Sequence, residues 1–348
     1  MDNICCNNRN PIISLSRICG MLLIVLCHVV VYYCAPIGSA LSGFLNCGVE
    51  LFLLISGYLF GQRIIDNWTV FYSKRFRTVT VPAIIASALV IAALLIARQP
   101  LEWQSIVAYL LDAEGLLFLN WDFVTSNLFN EILSLGPLWF TTIIMLCYLL
   151  IPLLQRVAHL NSIRYILFII IGLIIVIICP FIHLEYFFVF SIGYFAGKID
   201  VLDKIGSREF IFFTGLFILS LLLRIGVHHY FGSSPLYARL TVIPSTISGA
   251  WFIALFAYIN GASPEKTKLF TSSRAIQLCD KYSYYVFLSH GVFCMGTFNL
   301  YSRFSLPVAS LLFLVFTVVG AVCIRYISGH ISTLVSSICY CIKDKRPE

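Results

Sequence analysis

The sequence predicts an all-α, polytopic membrane protein with about ten transmembrane helices. Three observations predict it: 60% of the 348 residues are apolar, only 11% are charged, and the apolar residues gather into long runs separated by short polar connections. Soluble domains carry about 25% charged residues, and no soluble core hides this much apolar surface. A spanning helix needs about 20 mainly apolar residues, because the hydrocarbon core is about 30 Å thick and offers backbone groups no water.

The runs cover 12–34, 43–61, 80–97, 137–155, 164–180, 182–197, 209–227, 240–260, 282–301 and 307–334. Only the turn at Pro180 divides the fifth from the sixth, and loop charge decides that they are separate. With the N-terminus in the cytoplasm, the inner loops hold Arg63, Lys74, Arg75 and Arg77, then Arg156 and Arg164, then Lys198, Lys204 and Arg208, then Lys266, Lys268, Arg274 and Lys281. Lys343, Lys345 and Arg346 follow the last run, and only Arg98, Arg224, Arg239 and Arg303 fall outside. Merging the two runs would invert every later loop against the positive-inside rule. Both termini are therefore expected in the cytoplasm, with 1–340 a single transmembrane domain and 341–348 a short basic tail.

The segment Met1 to Asn10 is polar, and the first run contains Arg17 and His28, which suits a retained helix better than a cleaved signal. The net charge of +7 is carried by the inner clusters, so it reports topology and implies no nucleic-acid partner. The thirteen cysteines are scattered, mostly inside apolar runs, with no pair at zinc or redox spacing beyond Cys5-Cys6 and Cys339-x-Cys341, and read as small buried residues. No metal site is expected: His228-His229, assigned to an outer loop with Arg224 and Arg239, has no third ligand in sequence. The longest connection, 98–136, carries Glu102, Asp112, Glu114, Asp122 and Glu131 with Trp103 and Trp121. It is expected to lie over the outer membrane face, where connections of this length commonly cover or build a site. Asn67-Trp68-Thr69 has the form of a glycosylation acceptor but falls on the inner side, and is discounted.

Ionisable side chains within a span cost at least a few kcal/mol, so each is a functional candidate. Arg17 and His28 lie eleven residues apart on the first helix. At about 100° per residue that spacing returns to within about 20° of one face, and at about 1.5 Å per residue it separates them by about 16 Å. Arginine near the cytoplasmic side suits an anionic ligand, and a histidine in the outer half suits proton transfer. The blander reading is a snorkelling arginine and a histidine bonded to a neighbouring helix. Glu50 opens the second span in Asn46-Cys47-Gly48-Val49-Glu50; antiparallel neighbours would bring it to His28, where a carboxylate fixes the tautomer. The alternative is a neutral buried carboxyl. Lys74, Arg75 and Arg77 precede Pro82 and suit either anionic lipid or the phosphates of a nucleotide cofactor. His290 lies inside the ninth run, either packing helices or lining a site.

These residues resemble the acyltransferase-3 family of membrane acyltransferases over essentially the whole chain. Arg17 and His28 match its first-helix signature, and Gly48-Val49-Glu50-Leu51-Phe52-Leu53-Leu54-Ile55-Ser56-Gly57 is similar to its second-helix motif, with Leu53 where a second phenylalanine is usual. The family's basic pair before a proline is similar to Lys74 to Pro82, here with Lys74 and Arg77 at the three-residue offset. Leu138-Trp139-Phe140 with Tyr148 and Pro152 resembles the fourth span, Gly193 to Gly197 the sixth, and Ser283-Tyr284 through His290 the ninth.

The resemblance implies a ten-helix O-acyltransferase of the bacterial inner membrane. It would take an acyl group, most often acetyl, from coenzyme A on the cytoplasmic side and pass it to a hydroxyl of a cell-surface glycan such as O-antigen, capsule or enterobacterial common antigen. No soluble domain follows the last run, which suits the stand-alone form. On that expectation His28 is the general base and Glu50 its orienter, while Arg17, Lys74, Arg75 and Arg77 bind the phosphates of acetyl-CoA. Trp139, Ser283 and His290 are candidates for binding the glycan or lipid-linked oligosaccharide acceptor. Direct transfer and an acyl-histidine relay both remain open. The rivals are a transporter or flippase of a lipid-linked sugar, and a polysaccharide polymerase. Unrepeated halves and inner basic residues argue against them.

Overall fold

The structure is a computed structural model and describes residues 10–33, 37–117, 133–158, 170–172, 174, 184–232 and 237–343. Its regular elements are α1 (Pro11–Tyr33), α2 (Ile37–Leu45), α3 (Gly48–Gly61), α4 (Trp68–Arg75), α5 (Val81–Ile96) and α6 (Trp103–Leu110), with a π turn, Phe76–Thr80, between α4 and α5. Then come α7 (Trp139–Val157), α8 (Leu184–Lys198), α9 (Ser207–Phe231), α10 (Val242–Ala262), α11 (Pro264–Ser272), α12 (Arg274–Cys294) and α13 (Leu306–Lys343). Among the described residues there is no strand, and 7 helices are long and apolar enough to cross a membrane.

Those helices coincide with seven of the ten runs. The sixth run is α8, whose 15 residues make a rod of about 22 Å. The ninth is shifted: instead of 282–301 the helix runs Arg274–Cys294, because Gly296, at φ 68, ends the helical backbone. The last helix continues through Lys343, so the tail expected from 341 begins inside it. The fifth run lies mostly outside the described residues.

Two compact units are present, Met1–Ile64 with Cys147–Ser283 and Ile65–Leu146 with Tyr284–Glu348. In the first, α3 and α8 form the closest pair. Gly57 and Gly61 on α3 face Gly193 and Gly197 on α8, and each glycine lets the opposite backbone approach so closely that an added Cβ would sit 1.9–2.2 Å from a carbonyl oxygen. Small residues four apart are the ordinary device for such contact between membrane helices. Residue numbers rise together along the contact, so α3 and α8 run parallel, the relative direction the ten-span reading requires of its second and sixth spans. Tyr58 donates to Asp200 and Gln62 Nε2 lies 2.9 Å from the same carboxylate, closing the pair at its end.

Also in the first unit, α1 crosses α3 antiparallel at Gly20 and Gly48. Helices α9 and α10 pair antiparallel in one register: Phe210 stacks on Tyr258 at 4.7 Å, Phe217 on Trp251 at 4.4 Å, Ser220 meets Ser248 at 3.3 Å, and Arg224 donates to Ser245. This corrects the sequence-based assignment of Arg224 and His228-His229 to an outer loop. Nothing breaks the helix before Gly232, so all three lie on α9.

In the second unit, Pro82 has no N–H for the preceding turn and its ring crowds a carbonyl there. The chain adopts the π turn, in which Val81 N–H reaches Phe76 O. Thr78 Oγ1 donates to Lys74 O at 2.8 Å, and the Tyr284 hydroxyl to Val79 O at 2.8 Å. Asn67 accepts from Val70 N–H at 3.0 Å, so the discounted glycosylation motif is a helix cap.

Candidate active site

Arg17 and His28 owe their places to a helix crossing. Gly20 on α1 lets α3 approach between Arg17 and His28, leaving one on either side of the crossing. The Arg17 Nε lies 3.2 Å from Asp280 Oδ1 and Nη2 3.4 Å from Oδ2; Ser14 Oγ, buried beside them, donates to Oδ2 at 3.1 Å. Asp280, on α12, is 5% exposed. Sequence reasoning missed it, since an acid at the end of an apolar run looks like an ordinary helix terminus. The clamp fixes two guanidinium nitrogens of Arg17.

His28 is half-buried on α1. Its neighbour Cys27 is buried, with Sγ 3.5 Å from Ser42 O, which puts this stretch of α1 level with α2. Glu50 is 3% exposed, and its Oε2 has no hydrogen-bond partner. Gly48 and Phe52 are the α3 residues that meet α1. Glu50, two residues past Gly48, is turned about 200° away, toward the side that carries Gly57 and meets α8. Glu50 nevertheless acts electrostatically on Cys27, one residue from His28, and its charged surroundings are Arg224 and Glu185. Ser283, also in this unit, donates to Asp280 O at 2.9 Å.

In the second unit, Lys74 is exposed while Arg75 and Arg77 are half-buried around the start of the π turn. The Arg75 guanidinium carbon lies 5.8 Å from the centroid of the Phe71 ring. Trp139 is half-buried at the first position of α7, with Gly115 packed against its carbonyl. His290 is 0% exposed, with Nδ1 2.6 Å from Phe287 O on its own helix.

The described part of the 98–136 connection differs from the expected cover over the membrane face. It turns back at the end of α5, and α6 packs along that helix. Asp112 thereby accepts hydrogen bonds from Thr141 and from Thr80, the latter about 24 Å down the helix from Ile96. Thr142 Oγ1 donates to Asp112 O at 2.8 Å and takes Gly115 N–H at 3.1 Å. Irregular backbone at membrane depth requires such burial in protein. Asp122, Glu131 and Trp121 lie outside the described residues. The second unit also holds an apolar cavity of about 470 Å³ between α5, α12 and α13, with Arg303 the one charged side chain in its lining. Among the described residues no three His, Cys, Asp or Glu side chains gather as a metal site.

A helical membrane domain whose spans carry a clamped arginine, a half-buried histidine and a buried carboxyl group has the parts of an integral membrane transferase. The acyltransferase-3 family model, described as an acyltransferase domain, matches residues 10–328, and the chain belongs to that family. No curated protein and no solved structure shows a match.

Proposed function

We propose that this membrane acyltransferase moves an acetyl group from acetyl-CoA, bound from the cytoplasmic side of a bacterial inner membrane, to a hydroxyl of a surface glycan or its lipid-linked precursor. The observation that carries the reading is that Arg17 and His28 share one unbroken helix, α1, about 16 Å apart, with Arg17 clamped by Asp280 and His28 half-buried. An anion-binding group and a proton acceptor at that separation suit the two ends of an extended pantetheine arm.

His28 takes the proton of the acceptor hydroxyl as its oxygen attacks the thioester carbonyl, and coenzyme A leaves as the thiol. Glu50 is the group proposed to orient His28 and to support the imidazolium that forms. Arg17 is the cation proposed for the cofactor's phosphates, and Lys74, Arg75 and Arg77 remain candidates for the same role. Trp139 offers a ring for sugar stacking; Ser283 and His290 remain acceptor-side candidates.

The test uses purified protein in liposomes with labelled acetyl-CoA and a lipid-linked glycan fraction. His28→Ala should lower label transfer by about 100-fold or more while membrane level is kept. Transfer within twofold of the unaltered protein would remove His28 as the base.

A further inference from the structure

The cavity between α5, α12 and α13 has no part in the acyl-transfer reading, and its walls define what would fill it. On α5 the lining runs from Ala86 to Ala93, about 5–15 Å below the end of that helix at Ile96, which is the depth of the chains of one leaflet. The one hydroxyl in the wall, that of Ser289, donates to Thr317 O at 2.9 Å, where Gly320 lets α13 close on Ser289. Apolar walls of this kind hold no water, and an empty space of about 470 Å³ would forfeit the contacts that a packed interior makes. Leu89, Phe316 and Cys323 of the lining are exposed, so the space opens sideways, toward hydrocarbon. Its other end is polar and ordered. Past α12 the chain folds back, with Leu300 N–H on Phe293 O at 3.0 Å, Tyr301 N–H on Asn299 Oδ1 at 2.9 Å, and the Tyr301 ring 5.8 Å from that of Phe313 on α13. This turn carries Arg303, exposed and three residues before α13 begins, with Nη2 donating to Thr297 O at 2.6 Å. A cation fixed at the end of an apolar slot complements a molecule with an anionic head and a hydrocarbon chain.

We propose that this cavity binds one acyl chain of an anionic glycerophospholipid, with the lipid phosphate on Arg303. The chain fills the space between three helices, so the bound lipid fastens α12 and α13 to α5. A bilayer lipid fits better than a polyprenyl carrier, because the slot has the depth of one leaflet and a long polyprenyl chain would overrun it. Arg303 supplies the preference for a negative headgroup; the apolar walls supply the affinity for the chain. The inference is independent of the residues assigned to acyl transfer.

Two measurements on the full chain in detergent test this. In the first, the protein is titrated with phosphatidylglycerol, with phosphatidylethanolamine of the same chains and with a polyprenyl phosphate, and bound lipid is counted by native mass spectrometry. Phosphatidylglycerol should bind about tenfold more tightly than phosphatidylethanolamine. Arg303→Gln should bring the two within about twofold, and Arg303→Lys should keep at least about a threefold preference. Cys323→Trp, which sets an indole in the slot, should weaken both by about tenfold. Glycerol 3-phosphate, a headgroup anion without a chain, should not displace phosphatidylglycerol. In the second, thermal midpoints without lipid establish that each variant is folded, and saturating phosphatidylglycerol should raise the midpoint of the unaltered protein by about 3 °C or more while leaving that of Cys323→Trp in place. Equal binding of the two phospholipids, a preference that survives in Arg303→Gln, or full binding by Cys323→Trp overturns the proposal. Tighter binding of the polyprenyl phosphate than of phosphatidylglycerol overturns it as well, and assigns the slot to a carrier lipid.

Discussion

At the scale of single residues, the structure attaches partners to the titratable groups that a membrane reading singles out. Arg17 is met by Asp280, and the pair fixes the guanidinium before any ligand arrives. Replacing Asp280 with Ala should restore side-chain freedom that ligand binding must then remove, an entropy cost of about 1–2 kcal/mol. Coenzyme A affinity should fall by about tenfold in a calorimetric titration; unchanged affinity would mean that Arg17 meets no part of the cofactor. Glu50 could be located from sequence, but not its facing. Its spacing from Gly48 turns it away from α1, which becomes apparent only once the Gly20–Gly48 contact identifies the side of α3 that α1 occupies.

At the scale of elements, glycine and proline set the geometry around these residues. Gly193 admits α3 so closely that a Cβ would fall 2.2 Å from Leu54 O, whereas Gly215 on α9 has nothing within 4 Å. Gly193→Ala should therefore destabilise by about 1–3 kcal/mol through overpacking. Gly215→Ala should be neutral or stabilising by up to about 1 kcal/mol, since alanine is the better helix former. Thermal unfolding in detergent distinguishes the two, and equal midpoints would refute the tight α3–α8 contact. The π turn has a similarly local cause. Pro82→Ala restores a backbone donor and lets Phe76–Thr80 rewind as α-helix, turning Arg75 and Arg77 by about 100° relative to α5. Coenzyme A affinity should drop several-fold if those arginines hold phosphate, and a titration equal to that of the unaltered protein would return them to lipid anchoring.

At the scale of the whole molecule, the proposed topology predicts which connections face which aqueous phase. With the exposed Cys279 replaced by serine, Arg303→Cys should react with a membrane-impermeant maleimide in intact cells. Lys266→Cys should react only after the membrane is opened. The reverse pattern would invert the chain and put His28 on the wrong side for an external acceptor. Much of the fold was open to sequence reasoning because its driving term is crude: apolar runs of sufficient length must span, and basic loops stay inside. The parallel contact of α3 with α8 agrees with the span count that loop charge had given. The re-entry of 98–117 along α5 could not be foreseen, because a polar connection carries no local sign of the Thr80 and Thr141 hydroxyls that receive Asp112.

The sequence by itself determined the helical membrane class, the family signatures at Arg17, His28 and Glu50, and the proline that disturbs α4 and α5, because hydrophobic length and backbone chemistry are properties of short stretches. Only the tertiary structure decided that Asp280 clamps Arg17, that Glu50 points away from α1, and that Arg224 belongs to the interior. Those are pairings between residues far apart in the chain, set by which helix faces meet, and the relative rotation of two packed helices is written in neither helix alone.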